Sequence, residues 1–190
     1  MNIARHLILV KHSLPEIVEN VPAHAWELSS EGRTRVGKLA ERLRQYQPEV
    51  IVSSVEPKAR QTAELICENL GVDVVVMDGL HEHDRSGVPF YSKDKFQSLV
   101  QEIFEKPDVL VFGGETATQA LVRFRESVEL IMNLYENKRM VIVSHGTVIS
   151  LFVAWLTGVD GFLLWKELGL PSLVVLDEQN KTLLQVENII

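Results

Sequence analysis

Four times along this chain a short aliphatic run stops at polar residues and gives way to irregular or helical sequence. Leu7-Ile8-Leu9-Val10 runs into Lys11-His12-Ser13, and Val50-Ile51-Val52 into Ser53-Ser54. Val74 to Met77 leads to an irregular stretch through His81, Asp84, Gly87 and Pro89, and Val141-Ile142-Val143 ends in Ser144-His145-Gly146. Apolar runs this short, without alternation, are those of strands covered on both faces, as in a parallel sheet.

The intervening segments have helical period. From about Glu31, behind a Ser29 or Ser30 cap, Val36, Leu39, Ala40 and Leu43 form one stripe. Pro57 suits a first helical turn, Ala59, Ala63, Ile66 and Leu70 follow on one face, and Gly71 is the expected stop. A weaker helix is predicted between Lys93 and Glu105. Thr116 with Gln119 is a capping-box signature ahead of Ala120, Phe124, Val128, Ile131 and Tyr135. Thr147–Thr157 is the last predicted helix. The tail offers strands Leu173–Leu176 and Thr182–Val186 around a turn at Asp177 to Lys181. The expectation is one α/β domain over 1–190, with helices on both faces of a mostly parallel sheet.

Composition narrows the function classes. Nineteen Lys and Arg against 26 Asp and Glu give a net charge of −7 with no basic run, which argues against a general nucleic-acid surface. An anionic ligand must therefore be drawn by a local cluster of cations. Cys67 is the single cysteine, so no intramolecular disulfide forms, and the apolar start is too short for a secretion signal. Both point to a cytoplasmic protein. Met140 to Val159 mimics a membrane span, but it divides into a strand, a Ser-His-Gly turn and a helix, so no membrane role is expected.

In open α/β sheets ligands sit outside the carboxyl ends of the strands. Those ends carry Lys11, His12 and Ser13, then Ser53 and Ser54 with Lys58 and Arg60 just beyond, then His81 to Arg85, then Ser144 and His145. Two histidines, several cations and a carboxylate on one rim suit an anionic phosphoester and a proton donor for its leaving group. Trp26, Phe90 and Tyr91 are candidates either for the pocket lining or for the core. The run His81-Glu82-His83-Asp84 also admits a divalent metal, although all its ligands would come from one short segment.

The same residues make the chain resemble the histidine phosphatase superfamily, the phosphoglycerate mutase-like fold. Leu7 to Ser13 stands where that family has an apolar strand ending Arg-His-Gly, and Ser53 to Ala63 where it has Ser-Ser-Pro followed by Arg-Ala and Gln-Thr-Ala. Leu80-His81-Glu82, Gly113-Gly114-Glu115 and Val141 to Gly146 follow in family order. The resemblance implies a three-layer α/β/α sandwich and a phosphohistidine mechanism. It implies that His12 is the nucleophile, that Glu82 donates the proton, and that His145 binds the phosphoryl group. Lys11, Lys58, Ser13 and Gly146 then hold the phosphate.

Burial and a neighbouring phosphate are expected to raise the Glu82 pKa, and Asp84 is the alternative acid. Lysines stand at both places where the family has arginine, keeping the charge but not the bidentate fork, with Arg60 and Arg85 as candidates to supply one. The expected activity is metal-independent hydrolysis of a small phosphomonoester, with no cofactor. A phosphoglycerate mutase and an inactive phospholigand-binding module are the alternatives. Oligomeric state, a homodimer included, stays open.

Overall fold

In the computed structural model, residues 6–177 and 179–190 are described. The aliphatic runs form strands β1 (His6–Lys11), β2 (Val50–Ser53), β3 (Asp73–Val76) and β4 (Met140–Ser144), and the tail forms β5 (Ser172–Asp177) and β6 (Thr182–Asn188). They make one six-stranded sheet in the order β3-β2-β4-β1-β5-β6. The first four strands in that order are parallel, and β5 and β6 close the other side antiparallel. This is the mostly parallel sheet flanked by helices that the alternation implied. Glu178, inside the expected final turn, lies outside the described residues.

The helices are α1 (Ser30–Arg44), α2 (Pro57–Leu70), α3 (Lys93–Glu105), α4 (Ala117–Leu134), α5 (Gly146–Thr157) and α6 (Gly161–Glu167). Ser29 caps α1 by accepting from the Gly32 N–H, and Thr116 with Gln119 forms the full capping box on α4. Gly71 ends α2 in a left-handed conformation. The Met140–Val159 stretch resolves into β4 and α5, and no helix among the described residues is long and apolar enough to cross a membrane.

Alternation along the strands decides which helices cover which face. Leu7, Leu9, Val50, Val52 and Ile142 point to one side, where they meet Phe124, Val128 and Ile131 of α4 and Ile149 and Phe152 of α5. Ile8, Val10, Ile51, Val141 and Val143 point to the other, against Val36, Leu39 and Leu43 of α1 and Ala59, Ala63 and Ile66 of α2. Both clusters are almost completely shielded from water. A strand buried on both faces has no polar side to show, which is why its sequence is a continuous aliphatic run.

Several elements differ from expectation, the tail strands among them, since β5 spans Ser172–Asp177 and β6 runs on to Asn188. The third strand begins one residue earlier than Val74 and ends at Val76. α6 was not predicted, because seven residues are too few to show a period. Neither was a 3₁₀ turn at Ala23–Ala25, within the long loop after β1.

Candidate active site

Because β2, β4 and β1 are adjacent and parallel, their carboxyl ends open onto one rim. The chain continues sheet-like hydrogen bonding for one residue past each end: His12 N–H donates to Ser144 O at 2.9 Å, and Ser54 N–H to Val143 O at 3.0 Å. Those two bonds set His12 and Ser54 against the end of β4, where His145 is the N-cap of α5. The His12 and His145 rings meet edge to face, with centroids 5.1 Å apart.

His12 is buried, and its Nδ1 lies 2.7 Å from Ser13 O. A carbonyl can only accept, so Nδ1 carries the proton and Nε2 is left with a free lone pair. Burial, reinforced by His145 and Lys58, holds the His12 pKa well below 6.5. His145 is completely buried and is likewise held well below 6.5, first by burial and then by Lys58. Its Nε2 lies 2.8 Å from Ser54 Oγ, while its Nδ1 is buried without a hydrogen-bond partner.

Both lysines converge on this rim. Lys11 Nζ donates to Leu168 O at 2.7 Å, and burial lowers its pKa to about 8 against the opposing pull of Glu82. The side chain passes over Gly146, where a Cβ would lie 3.1 Å from Lys11 Cε, so the absent side chain gives the lysine its course. Lys58, nearly buried on the first turn of α2, is ion-paired with Glu56 and donates to Ala23 O at 2.7 Å. Its pKa is lowered by burial, with Glu56 opposing.

Glu82 arrives from the segment after β3. Its carboxylate faces the amino end of α5, accepting from Thr147 N–H at 3.2 Å and Val148 N–H at 3.3 Å, and pairs with Arg85 at 3.1 Å. Arg85 also donates to Thr147 Oγ1 at 3.1 Å and lies over the Phe96 ring. The expectation of a raised Glu82 pKa is corrected here. Burial does push it up, but Arg85, His145 and the N–H groups of His83 and Thr147 outweigh burial and hold it far below the usual carboxylate range.

The segment is braced from behind by Arg123. Its guanidinium donates to Gly79 O, His81 O and Glu82 O and pairs with Glu115. Gly113, at φ +81°, lets the neighbouring turn approach so closely that a Cβ would sit 1.8 Å from Asp84 O.

Other expected residues are placed differently. Ser13 was expected on the phosphate, but its hydroxyl donates to Gly32 O at 2.7 Å and its N–H to Thr62 Oγ1 at 3.0 Å, so both donors are spent on the scaffold. Asp84 accepts from the Ser86 N–H in a local turn. Arg60 is exposed and pairs with Glu64, whereas Arg85 points inward. Trp26 donates its indole N–H to Val18 O and Val21 O, stitching its own loop, and Phe90 is exposed. No group of three or more His, Cys, Asp or Glu side chains able to hold a metal ion is found among the described residues.

Sequence reasoning missed Glu56. It is buried, paired with Lys58, accepts from the Glu82 N–H at 2.9 Å and lies 3.7 Å from His145 Nε2. A signal was present. It is a carboxylate two residues after the strand-end serines and immediately before a helix-starting proline, at a cap position where Ser, Thr, Asp or Asn is the usual choice.

Comparison with known proteins agrees with this architecture. A family model described as histidine phosphatase superfamily (branch 1) matches residues 7–188. An uncharacterized phosphatase, PhoE, of Bacillus subtilis is 26% identical over 133 residues, covering 70% of this chain and 66% of that protein. A probable phosphoglycerate mutase, GpmB, of Erwinia tasmaniensis is 27% identical over 139 residues, covering 69% of this chain and 63% of that protein. The matched region thus spans just under two thirds of these relatives. The solved mycobacterial glucosyl-3-phosphoglycerate phosphatase superposes with a TM-score of 0.72 at 24% identity, covering 90% of this chain and 89% of that one, a likeness of fold. With five motifs in order, their strand ends on one rim and a family match over nearly its whole length, this chain belongs to the histidine phosphatase superfamily.

Proposed function

We propose that the protein is a metal-independent phosphatase that hydrolyses a small phosphomonoester through a phosphohistidine on His12. The observation that carries this reading is His12 itself: a buried imidazole, its Nδ1 on Ser13 O and its Nε2 bare, beside Lys58, Lys11 and His145. An unprotonated nitrogen fixed among cations is what attack on an anionic phosphorus requires.

His12 Nε2 attacks phosphorus as the bond to the ester oxygen breaks. Lys11, Lys58 and Arg85 neutralise the non-bridging oxygens, with Arg85 supplying a guanidinium fork. The His145 Nδ1, left without a protein partner, faces the phosphoryl group, and Gly146 leaves room for Lys11 beside it. Glu82 protonates the departing alkoxide. It is ionised in the free site, but a dianion entering beside Arg85 competes for that guanidinium and adds negative charge, and both effects raise the carboxyl toward its proton-carrying form. Water then attacks the phosphohistidine, losing its proton to Glu82, and inorganic phosphate leaves.

The test is hydrolysis of para-nitrophenyl phosphate with a chelator present, comparing native protein with His12→Ala. The expected outcome is chelator-resistant turnover that falls at least about 10³-fold in the variant, as for loss of a covalent nucleophile. A loss of less than about tenfold removes the phosphohistidine. The likeness to probable phosphoglycerate mutases supports a second reading, phosphoryl transfer between sugar acids, and a mutase assay primed with bisphosphoglycerate separates the two.

A further inference from the structure

Glu56 is an expensive residue to keep where it stands. It occupies the cap position of α2, yet its side chain makes no capping bond and turns into the site instead. A buried carboxylate facing a phosphate opposes the ligand, and a buried ion pair adds little to stability. Its contacts are specific. One oxygen takes the Lys58 ammonium; the other accepts the Glu82 N–H at 2.9 Å and lies 3.7 Å from His145 Nε2. A single carboxylate thus touches three of the residues assigned to the reaction.

Lysine in place of a guanidinium is a point charge on a flexible stem. Its ammonium has three donors. Here one is taken by Glu56 and a second by Ala23 O at 2.7 Å, so the direction of the third is set by the other two. His145 has a parallel problem. With Nε2 on Ser54 Oγ and Glu56 nearby, the proton of the neutral ring is held on Nε2, and an anion arriving at the rim favours a second proton on Nδ1, which then donates toward it. The charged and titratable groups around it are His12, Lys58, Glu82, Arg85 and His81, with Glu56 the carboxylate at its Nε2.

We propose that Glu56 is a positioning residue that aims the Lys58 ammonium and orients His145 toward the phosphoryl group, doing for lysine what a rigid fork does for arginine. The proposal rests on the reading of this rim as a phosphoryl site.

Charge and positioning predict opposite signs, which makes the test sharp. Binding of inorganic phosphate to the full chain is measured by titration calorimetry for native protein, Glu56→Gln, Glu56→Asp and Glu56→Gln with Lys58→Arg. Were Glu56 a bystander, removing its negative charge would tighten phosphate binding, and Glu56→Asp would leave it unchanged. Positioning requires that both single variants weaken binding by about fivefold or more, the scale of one charge-assisted hydrogen bond. It also requires that the double variant recover to within about twofold, because a guanidinium brings its own geometry. Tighter or unchanged binding in Glu56→Gln overturns the proposal, and should that variant not fold, unchanged binding in Glu56→Asp does so.

The 15Nζ signal of Lys58 reads the same arrangement without ligand: protected from exchange in native protein and lost in Glu56→Gln. A protected signal in a protein that binds no phosphate defeats the phosphoryl-site reading alone. An unprotected signal in native protein defeats the role of Glu56.

Discussion

In the proposed reaction, Lys11 is the buried side chain that would set an alkaline pH limit. Its pKa is lowered to about 8 by burial, so the free site loses this cation as pH rises through that value. The expected outcome is a kcat/KM for para-nitrophenyl phosphate that declines on the alkaline side of about pH 8, since this ratio reports the free enzyme. Lys11→Arg, whose guanidinium does not titrate in that range, abolishes the alkaline limb; a limb unmoved in the variant assigns it elsewhere. Gly146→Ala addresses the same lysine sterically. A Cβ would lie 3.1 Å from Lys11 Cε, the far end of a flexible chain, so the fold keeps its stability while the ammonium shifts. Turnover is expected to fall about tenfold or more with an unchanged melting temperature.

Among the elements, α4 holds the segment that carries Glu82. Its capping box anchors the amino end, and Arg123, about two turns further along, gathers the carbonyls of Gly79, His81 and Glu82. Thr116→Ala removes the side-chain acceptor for the Gln119 N–H and is expected to cost about 1 kcal/mol in chemical denaturation. No change in the unfolding midpoint would show that tertiary packing alone fixes this end. The box was legible from two residues three apart, because capping is a local bond. The bracing by Arg123 was not legible, since its partners lie more than forty positions away.

For the whole molecule, the site carries a stability penalty in acid. His12 and His145 are held neutral, well below 6.5, chiefly by burial. Between the folded and unfolded values the unfolded chain binds more protons than the native one, so stability rises with pH there and is lost as pH falls below about 6.5. Denaturation midpoints measured from pH 7 to pH 5 are expected to fall more steeply for native protein than for the His12→Asn, His145→Asn double variant. Equal slopes would mean that other groups govern the acid limit.

What the sequence determined by itself was whatever depends on neighbours along the chain. Runs such as Leu7 to Val10 and Val141 to Val143, the stripes of α1 and α2, and the polar residues at strand ends were enough for a parallel α/β sheet and for a rim carrying His12, Glu82 and His145. Tertiary structure decided what depends on direction and on distant partners. It turned Arg85 inward and Arg60 outward, spent Ser13 on Gly32 and Thr62, and set Glu82 against the amino end of α5, which reversed its expected pKa shift. It also placed Glu56 against Lys58, His145 and Glu82 at once. The physical reason is that periodicity records which side of an element is buried, whereas the charge state and aim of a buried polar group are set by whatever the rest of the chain folds against it.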